Sequence, residues 1–211
     1  VYMGRARYGI ATVVPGITDA ASVSVGDEFV CVLLRGGTVE CWGYNIHGQL
    51  GDGTTVNRSV PAPVVGLSDA VAVDVGYNHS CAVLASGAVK CWGWNVHFNL
   101  GLGHDDPGPY TTPQTTGTVG SPLEDAKQIS AGLQSSCVTR ADDTVSCWGF
   151  YRSWQGPWLG GPVLSGKPIV DVPGVSDVTS VTAGHAFQCA ASRDGTARCW
   201  GINQSGQLGR G

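Results

Sequence analysis

The sequence predicts an all-β chain built from four copies of one small antiparallel sheet. Three observations carry that prediction. The pattern G-x4-C-x9-C-W-G starts at Gly26, Gly76, Gly132 and Gly184 with no slip in spacing. Glycine supplies 32 of 211 residues and charged residues only 13%, a mix that disfavours long surface helices and favours short strands with tight turns. The apolar residues ahead of each copy alternate with polar ones, which is the period of a strand. Residues 1–211 read as a single domain with hairpin cores at 26–51, 76–101, 132–149 and 184–209.

Each unit has four short strands. The first follows a proline or a loop, at 11–14, 62–65 and 168–172. A strand of V-x-V type comes next, at Val23-Ser-Val25, Val73-Asp-Val75, Ile129-Ser-Ala131 and Val181-Thr-Ala183. The turn before it holds Asp19, Asp69, Asp125 or Asp177, whose carboxylate suits an Asx-type turn. Two hairpin strands complete the unit. After Trp-Gly a glycine-rich loop carries Asn45, Asn95 or Asn203 and then Leu50, Leu100 or Leu208. The asparagines are expected to bond loop backbone, and the leucines to pin the loop to its sheet.

All eight cysteines fall in the hairpins: Cys31 with Cys41, Cys81 with Cys91, Cys137 with Cys147, and Cys189 with Cys199. Zinc is the weaker reading. Nine residues separate each pair, and no second pair or histidine follows at ligand spacing. If the cysteines face each other, the hairpin tips are Arg35-Gly36-Gly37, Ala85-Ser86-Gly87, Ala141-Asp142-Asp143 and Arg193-Asp194-Gly195. Three-residue tips end at positive φ, which suits glycine and is tolerated by Asp143. Register and turn chemistry agree on four local disulfides. Such bonds persist in an oxidising setting, so the expected location is extracellular, periplasmic or cell-surface.

Repeats of roughly 50 residues with four strands each are the signature of a β-propeller. The second unit reads V-x-V-G-x-x-H-S-C-A-V-L-x-S-G-x-V-K-C-W-G-x-N, and the first continues G-Q-L-G-D-G. These residues resemble the regulator of chromosome condensation repeat, most closely the bacterial secreted branch with a disulfide in each blade. The third unit departs after Trp148-Gly149, where Asn and G-Q-L-G are missing. The resemblance implies blades around an axis, and familiar members close with seven. Residues 1–14 match 54–65 and are expected to complete the last blade. With no initiator Met and no signal peptide, the chain reads as a processed product or an excised piece. Three arrangements fit the complementary termini: closure within one chain, which is favoured, two chains joined head to tail, or a piece of a longer array.

Net charge is −4, too acidic for tracking a phosphate backbone, so no nucleic-acid partner is expected. No apolar run is long enough to span a bilayer. Neither G-x-S-x-G nor H-E-x-x-H occurs, and no enzyme, cofactor or metal site is expected. The tryptophans at 42, 92, 148 and 200 read as core, and His79 as a structural hydrogen-bonding group. His104-Asp105-Asp106 reads as a solvated cluster. Asn-x-Ser triplets begin at Asn57, Asn78 and Asn203 and matter only in a eukaryotic secretory setting. The nucleotide-exchange activity of the family's best-known members does not carry over, because their partner is intracellular.

Function is expected where the repeat breaks, at Gly103–Gly117 and Phe150–Leu159. Tyr110, Phe150, Tyr151, Arg152, Trp154 and Trp158 are the candidate binding residues, because Tyr, Trp and Arg dominate binding hot spots. The expected role is non-enzymatic binding of another protein. A carbohydrate-binding propeller and self-association through complementary termini are the alternatives.

Overall fold

The computed structural model describes residues 11–118, 121–149 and 169–210. The first sheet has the order β1(Ala20–Val25), β2(Phe29–Leu34), β3(Val39–Gly43) and β4(Arg58–Pro63). The second repeats it with β5(Ala70–Val75), β6(His79–Leu84), β7(Val89–Gly93) and β8(Tyr110–Thr115). A two-stranded ribbon, β9(Gly117–Thr118) with β10(Ser121–Pro122), leads to the third sheet. That sheet holds β11(Ala126–Ala131), β12(Ser135–Arg140), β13(Val145–Gly149) and β14(Val170–Asp171). The fourth holds β15(Val178–Ala183), β16(Phe187–Ser192) and β17(Ala197–Gly201).

Each blade therefore starts on its V-x-V strand and takes its outer strand from beyond the loop. The fourth sheet has three strands among the described residues. Residues 11–14, expected as a strand, carry none. The other residues meant to complete that blade, 1–10, lie outside the described residues. The aspartates ahead of the V-x-V strands also act differently from expectation. The main-chain carbonyls of Asp19, Asp69 and Asp177 accept from the N–H groups of Arg35, Ala85 and Arg193 at 2.9–3.1 Å, fastening each hairpin tip.

The hairpins have the register that the cysteine spacing demands. Leu34 N–H donates to Thr38 O and Gly37 N–H to Leu34 O, both at 2.9 Å. This leaves Cys31 and Cys41 opposite each other at a non-hydrogen-bonded pair, where side chains approach most closely. Disulfides join 31–41, 81–91, 137–147 and 189–199, with Cα atoms 4.0–4.2 Å apart. The last tip residue has φ of 85°, 86°, 62° and 81° at Gly37, Gly87, Asp143 and Gly195. Asp143 adopts this conformation with its carboxylate held by Lys127 Nζ at 2.6 Å and Arg193 at 2.8 Å.

Successive blades meet through one repeated boundary. The face carrying a disulfide packs on the next blade's tryptophan. Cys31 and Cys41 cluster with Val73, Val75 and Trp92, Cys81 and Cys91 with Ile129 and Trp148, and Cys137 and Cys147 with Ala190 and Trp200. Near the axis, the middle residue of each of the first three V-x-V strands reaches forward. Ser24 Oγ accepts from Val75 N–H at 3.1 Å, Asp74 Oδ2 from Ala131 N–H at 2.9 Å, and Ser130 Oγ from Ala183 N–H at 2.9 Å. Ser24 also donates to Asp74. The glycine that opens each pattern copy permits this approach. A Cβ on Gly76 would run into the carbonyl oxygen of Gly132, and one on Gly132 into that of Gly184.

Among the described residues, the first and fourth blades each leave one face uncovered. Val23 and Val25 are 63% and 69% exposed, whereas the matching Val73 and Val75 are 9% and 5% exposed. Thr182, which matches Ser24, Asp74 and Ser130, is exposed.

Candidate interaction face

The described loops that follow Trp42-Gly43, Trp92-Gly93 and Trp200-Gly201 leave the same end of their hairpins and so form one rim. They are held in a fixed shape by their own asparagine. Asn45 Oδ1 accepts from Leu50 N–H at 2.9 Å, and its Nδ2 donates to the carbonyls of Thr54 and Val56, both at 3.1 Å. Asn95 does the same with Leu100 N–H at 3.1 Å and His104 O at 2.8 Å. Leu50 and Leu100 are fully buried, as expected of pins.

The loop of one blade leans onto the next. Gln49 O accepts from Trp92 Nε1 at 2.9 Å and from Ser80 Oγ at 2.8 Å, and Asn99 O accepts from Trp148 Nε1 at 2.8 Å. Trp200 Nε1 is buried without a partner among the described residues. The loop that would reach it belongs to the third unit, whose repeat is broken and whose residues 150–168 lie outside the described ones.

That lean assembles an aromatic group from two blades. His47 stacks on Trp94 with ring centroids 4.8 Å apart, and Tyr44 meets His47 edge-on at 6.4 Å. All three are half-buried. Burial pushes the His47 imidazole below its ordinary value, which favours the neutral ring. Ile46 and Tyr77 are exposed on the same rim. The sequence reading missed this group. Its signal was the residue between Trp-Gly and Asn, which is Tyr44, Trp94 and Ile202 in the units with that Asn.

The second loop is strained in a telling place. Phe98 stands where the sister loops have Gly48 and Gly206, and its φ is 62°. The preceding His97 has φ of 65°. Phe98 O still accepts from Gly101 N–H at 2.9 Å, as Gly48 O does from Gly51 N–H at 3.0 Å. A bulky residue in this left-handed region costs roughly 1–2 kcal/mol.

Of the residues expected to bind, Tyr110 lies among the described ones. It begins β8 rather than sitting in a free loop, because residues 110–115 pair with β7. Its ring packs partly against the core of the second boundary. Its hydroxyl donates to Asp106 Oδ2 at 3.2 Å. Burial, then the Asp106 charge, push the Tyr110 phenol up. The backbone of Tyr110 and Thr111 lies against Gly48, so Tyr110 adjoins the Tyr44–His47–Trp94 group. Phe150, Tyr151, Arg152, Trp154 and Trp158 lie outside the described residues.

His79 has the structural role expected of it. It is fully buried at the second boundary, and its Nε2 meets Ser136 Oγ at 2.9 Å. Among the described residues no group of three or more His, Cys, Asp or Glu is placed to hold a metal ion. Among them, too, no helix is long and apolar enough to cross a membrane.

The comparisons agree with this architecture. A family model described as the regulator of chromosome condensation (RCC1) repeat matches residues 37–83. A second model of the same description matches 20–49, 70–98 and 178–207. Together they span about half of the chain and skip the broken third unit. No curated protein matches. A chain in the crystal structure of Kap60 bound to yeast RCC1 (Prp20) is similar at TM-score 0.74 and 23% identity, over 94% of this chain and 47% of that one. Human WBSCR16 is similar at TM-score 0.74 and 23% identity, over 90% of this chain and 49% of that one. Prp20p from Saccharomyces cerevisiae, described with its binding to Gsp1p and histones, matches at TM-score 0.73 and 22% identity, over 94% and 49%. The chain thus spans about half the length of these proteins. The family-model matches, with the repeated glycine, cysteine and tryptophan pattern, show that this chain belongs to the regulator of chromosome condensation (RCC1) repeat family.

Proposed function

We propose that the chain is a non-enzymatic protein-binding module of an oxidising compartment, and that it binds through the rim of post-Trp-Gly loops. The observation that carries this reading is Phe98. An aromatic side chain stands at a backbone position where both sister loops use glycine, in the same loop as the half-buried Trp94. Strain held on a surface rather than relieved by glycine marks a place where the side chain itself is wanted. Aromatic residues on a preformed loop are what a protein interface uses as anchors. Yeast RCC1 is described bound to Kap60, and Prp20p with Gsp1p and histones, so related propellers serve as protein-binding scaffolds. Four disulfides support an extracellular, periplasmic or cell-surface location.

The test compares the wild-type chain with Trp94→Ala and Phe98→Gly. Partners are cross-linked from the extracellular fraction of the source cells, identified by mass spectrometry, and titrated as purified proteins. A partner whose affinity falls at least about tenfold in both variants supports the reading. Equal binding by both variants overturns the assignment of the rim. A glycan-array signal that depends on Trp94, with no protein partner, replaces it with the carbohydrate reading.

A further inference from the structure

We propose that the rim over the boundary between the first and second blades binds an arginine-rich segment of a partner protein, with a guanidinium lying on the His47–Trp94 aromatic surface between two pairs of carboxylates. The inference rests on the rim reading above and names the partner's chemistry.

The aromatic surface is fixed from within the fold. His47 comes from the loop of the first blade and Trp94 from the second blade, with ring centroids 4.8 Å apart. The main-chain N–H of His47 donates to Gln49 Oε1 at 3.0 Å, and Gln49 Nε2 donates to Asn78 Oδ1 at 3.4 Å. The main-chain N–H of Trp94 donates to Asn78 O at 2.9 Å. Both rings thus hang from the buried Gln49 and Asn78. The rings themselves stay half-buried, and Tyr77, next to Asn78, is exposed.

Carboxylates flank this surface on two sides. On the outer side, residues 104–107 fold back on Asn95, the residue after Trp94. Asn95 Nδ2 donates to His104 O at 2.8 Å, and Asn95 N–H to Pro107 O at 3.5 Å. The exposed Asp105 and Asp106 are thereby held next to the backbone that carries Trp94. Asp105 Oδ1 accepts from His97 N–H at 2.6 Å, Asp106 Oδ1 from Gly108 N–H at 2.9 Å, and Asp106 Oδ2 from the Tyr110 hydroxyl at 3.2 Å. These donors are neutral, so they orient the carboxylates without cancelling their charge. The His104 ring, 3.9 Å from Asp106, adds positive charge only when protonated. On the axis side, Tyr44 N–H donates to Glu28 O at 2.9 Å, which brings the exposed Asp27 and Glu28 up to the first loop.

The sign of the charge selects the occupant. Residues 26–28, 44–57, 76–78 and 94–109 make up this part of the rim, and they hold five carboxylates and no lysine or arginine. One of the five, Asp52, is bound to Arg58 at 2.7 Å. Arg35, Lys127, Arg140 and Arg193 lie at or beside the hairpin tips, at the opposite end of the sheets. A guanidinium suits both parts of the surface, because its plane stacks on an aromatic face while its N–H groups reach carboxylates at the edge. An ammonium is a point charge without that plane. Burial favours the neutral His47 ring, which keeps positive charge off the stack.

The test is calorimetric titration of the oxidised 211-residue chain at about 20 mM salt, where screening is weak. The probes are three synthetic peptides of equal length in which glycine alternates with arginine, lysine or glutamate. The arginine peptide should bind, the lysine peptide at least about threefold more weakly, and the glutamate peptide not at all. Trp94→Ala, and Asp105→Asn with Asp106→Asn, should each weaken the arginine peptide at least about threefold. Asp142→Asn with Asp194→Asn removes the same two charges at the hairpin tips and should leave binding unchanged. Asparagine keeps the Oδ1 acceptor that each of these four loops uses, so the paired variants retain their turns. An arginine peptide that does not bind, that binds Trp94→Ala or the Asp105 and Asp106 variant as well as wild type, or that is weakened equally by the tip variant overturns the proposal. So does equal affinity for the lysine peptide or binding of the glutamate peptide. If that happens while a cross-linked partner still depends on Trp94 and Phe98, the rim reading stands and the arginine inference alone falls.

Discussion

The indole N–H of Trp92 donates to the main-chain carbonyl of Gln49 at 2.9 Å, and this bond ties the second blade to the loop of the first. Both groups are fully buried, so neither has water as a substitute. Trp92→Phe removes the donor and leaves the carbonyl with Ser80 alone. The expected cost is about 1–3 kcal/mol by urea unfolding. Trp200→Phe should cost clearly less, because Trp200 Nε1 has no partner among the described residues to lose. Equal losses in the two variants would count against this account of the boundary.

Burial between the second and third blades pushes the His79 imidazole down to about 4. An unfolded chain protonates the same ring near 6.5. Above about pH 6.5 the ring is neutral in both states and adds no pH dependence. As pH falls from 6.5 towards 4, the unfolded chain takes up a proton that the folded chain does not. Stability therefore declines through that window, by up to about 3 kcal/mol, and the effect levels off below it. His79→Phe uses the residue that stands at the matching positions 29 and 187. Urea midpoints at pH 7.5, 5.5 and 4.5 should converge in this variant relative to wild type. An unchanged slope would exclude His79 as the source.

The fourth disulfide should be the first to open. In dilute protein, mild reductant followed by alkylation and mass spectrometry is expected to label Cys189 and Cys199 well before the other six cysteines. Cys31, Cys41, Cys81, Cys91, Cys137 and Cys147 are sealed under the next blade. Uniform labelling would mean that the blades separate before any disulfide reacts. Replacing Cys81 and Cys91 together by Ala should cost about 2–3 kcal/mol in the chain-entropy picture, plus the loss of packing against Trp148.

Much of this was legible in the residues. The spacing of Cys31 and Cys41 with Gly37 between them fixes a hairpin register, because both the facing pair and the positive φ depend on the same three-residue tip. Asp143 shows that the rule concerns conformation rather than glycine. The burial of Trp92 and the loop bonding of Asn45 follow from local chemistry for the same reason. What the sequence did not disclose arises between blades. His47 and Trp94 lie 47 positions apart and meet only because Gln49 is drawn to Trp92. Tyr110 looked like a loop residue because its proline-rich surroundings hide a strand that pairs only once β7 is in place. The Asp19 and Asp69 contacts use main-chain carbonyls, which no side-chain pattern reports.

Phe98→Gly should act in opposite directions on stability and binding. Glycine relieves the left-handed strain but loosens the unfolded chain, so a net gain of up to about 1 kcal/mol is expected in thermal or urea unfolding. Partner affinity should fall at the same time. A variant that loses stability would show that the Phe98 ring works mainly as packing.

The repeated boundary also bears on how such a chain can change in length. The second and third blades each carry one forward face and one receiving face, and both lie within a single continuous segment that begins at a V-x-V strand. Duplicating or deleting such a segment in the gene leaves the remaining junctions with the same chemistry: Ser, Asp or Ser still reaches an N–H, and at the first two junctions a loop carbonyl still meets an indole. Blade number is thus free to drift by whole units, and only the curvature needed to close the circle restrains it.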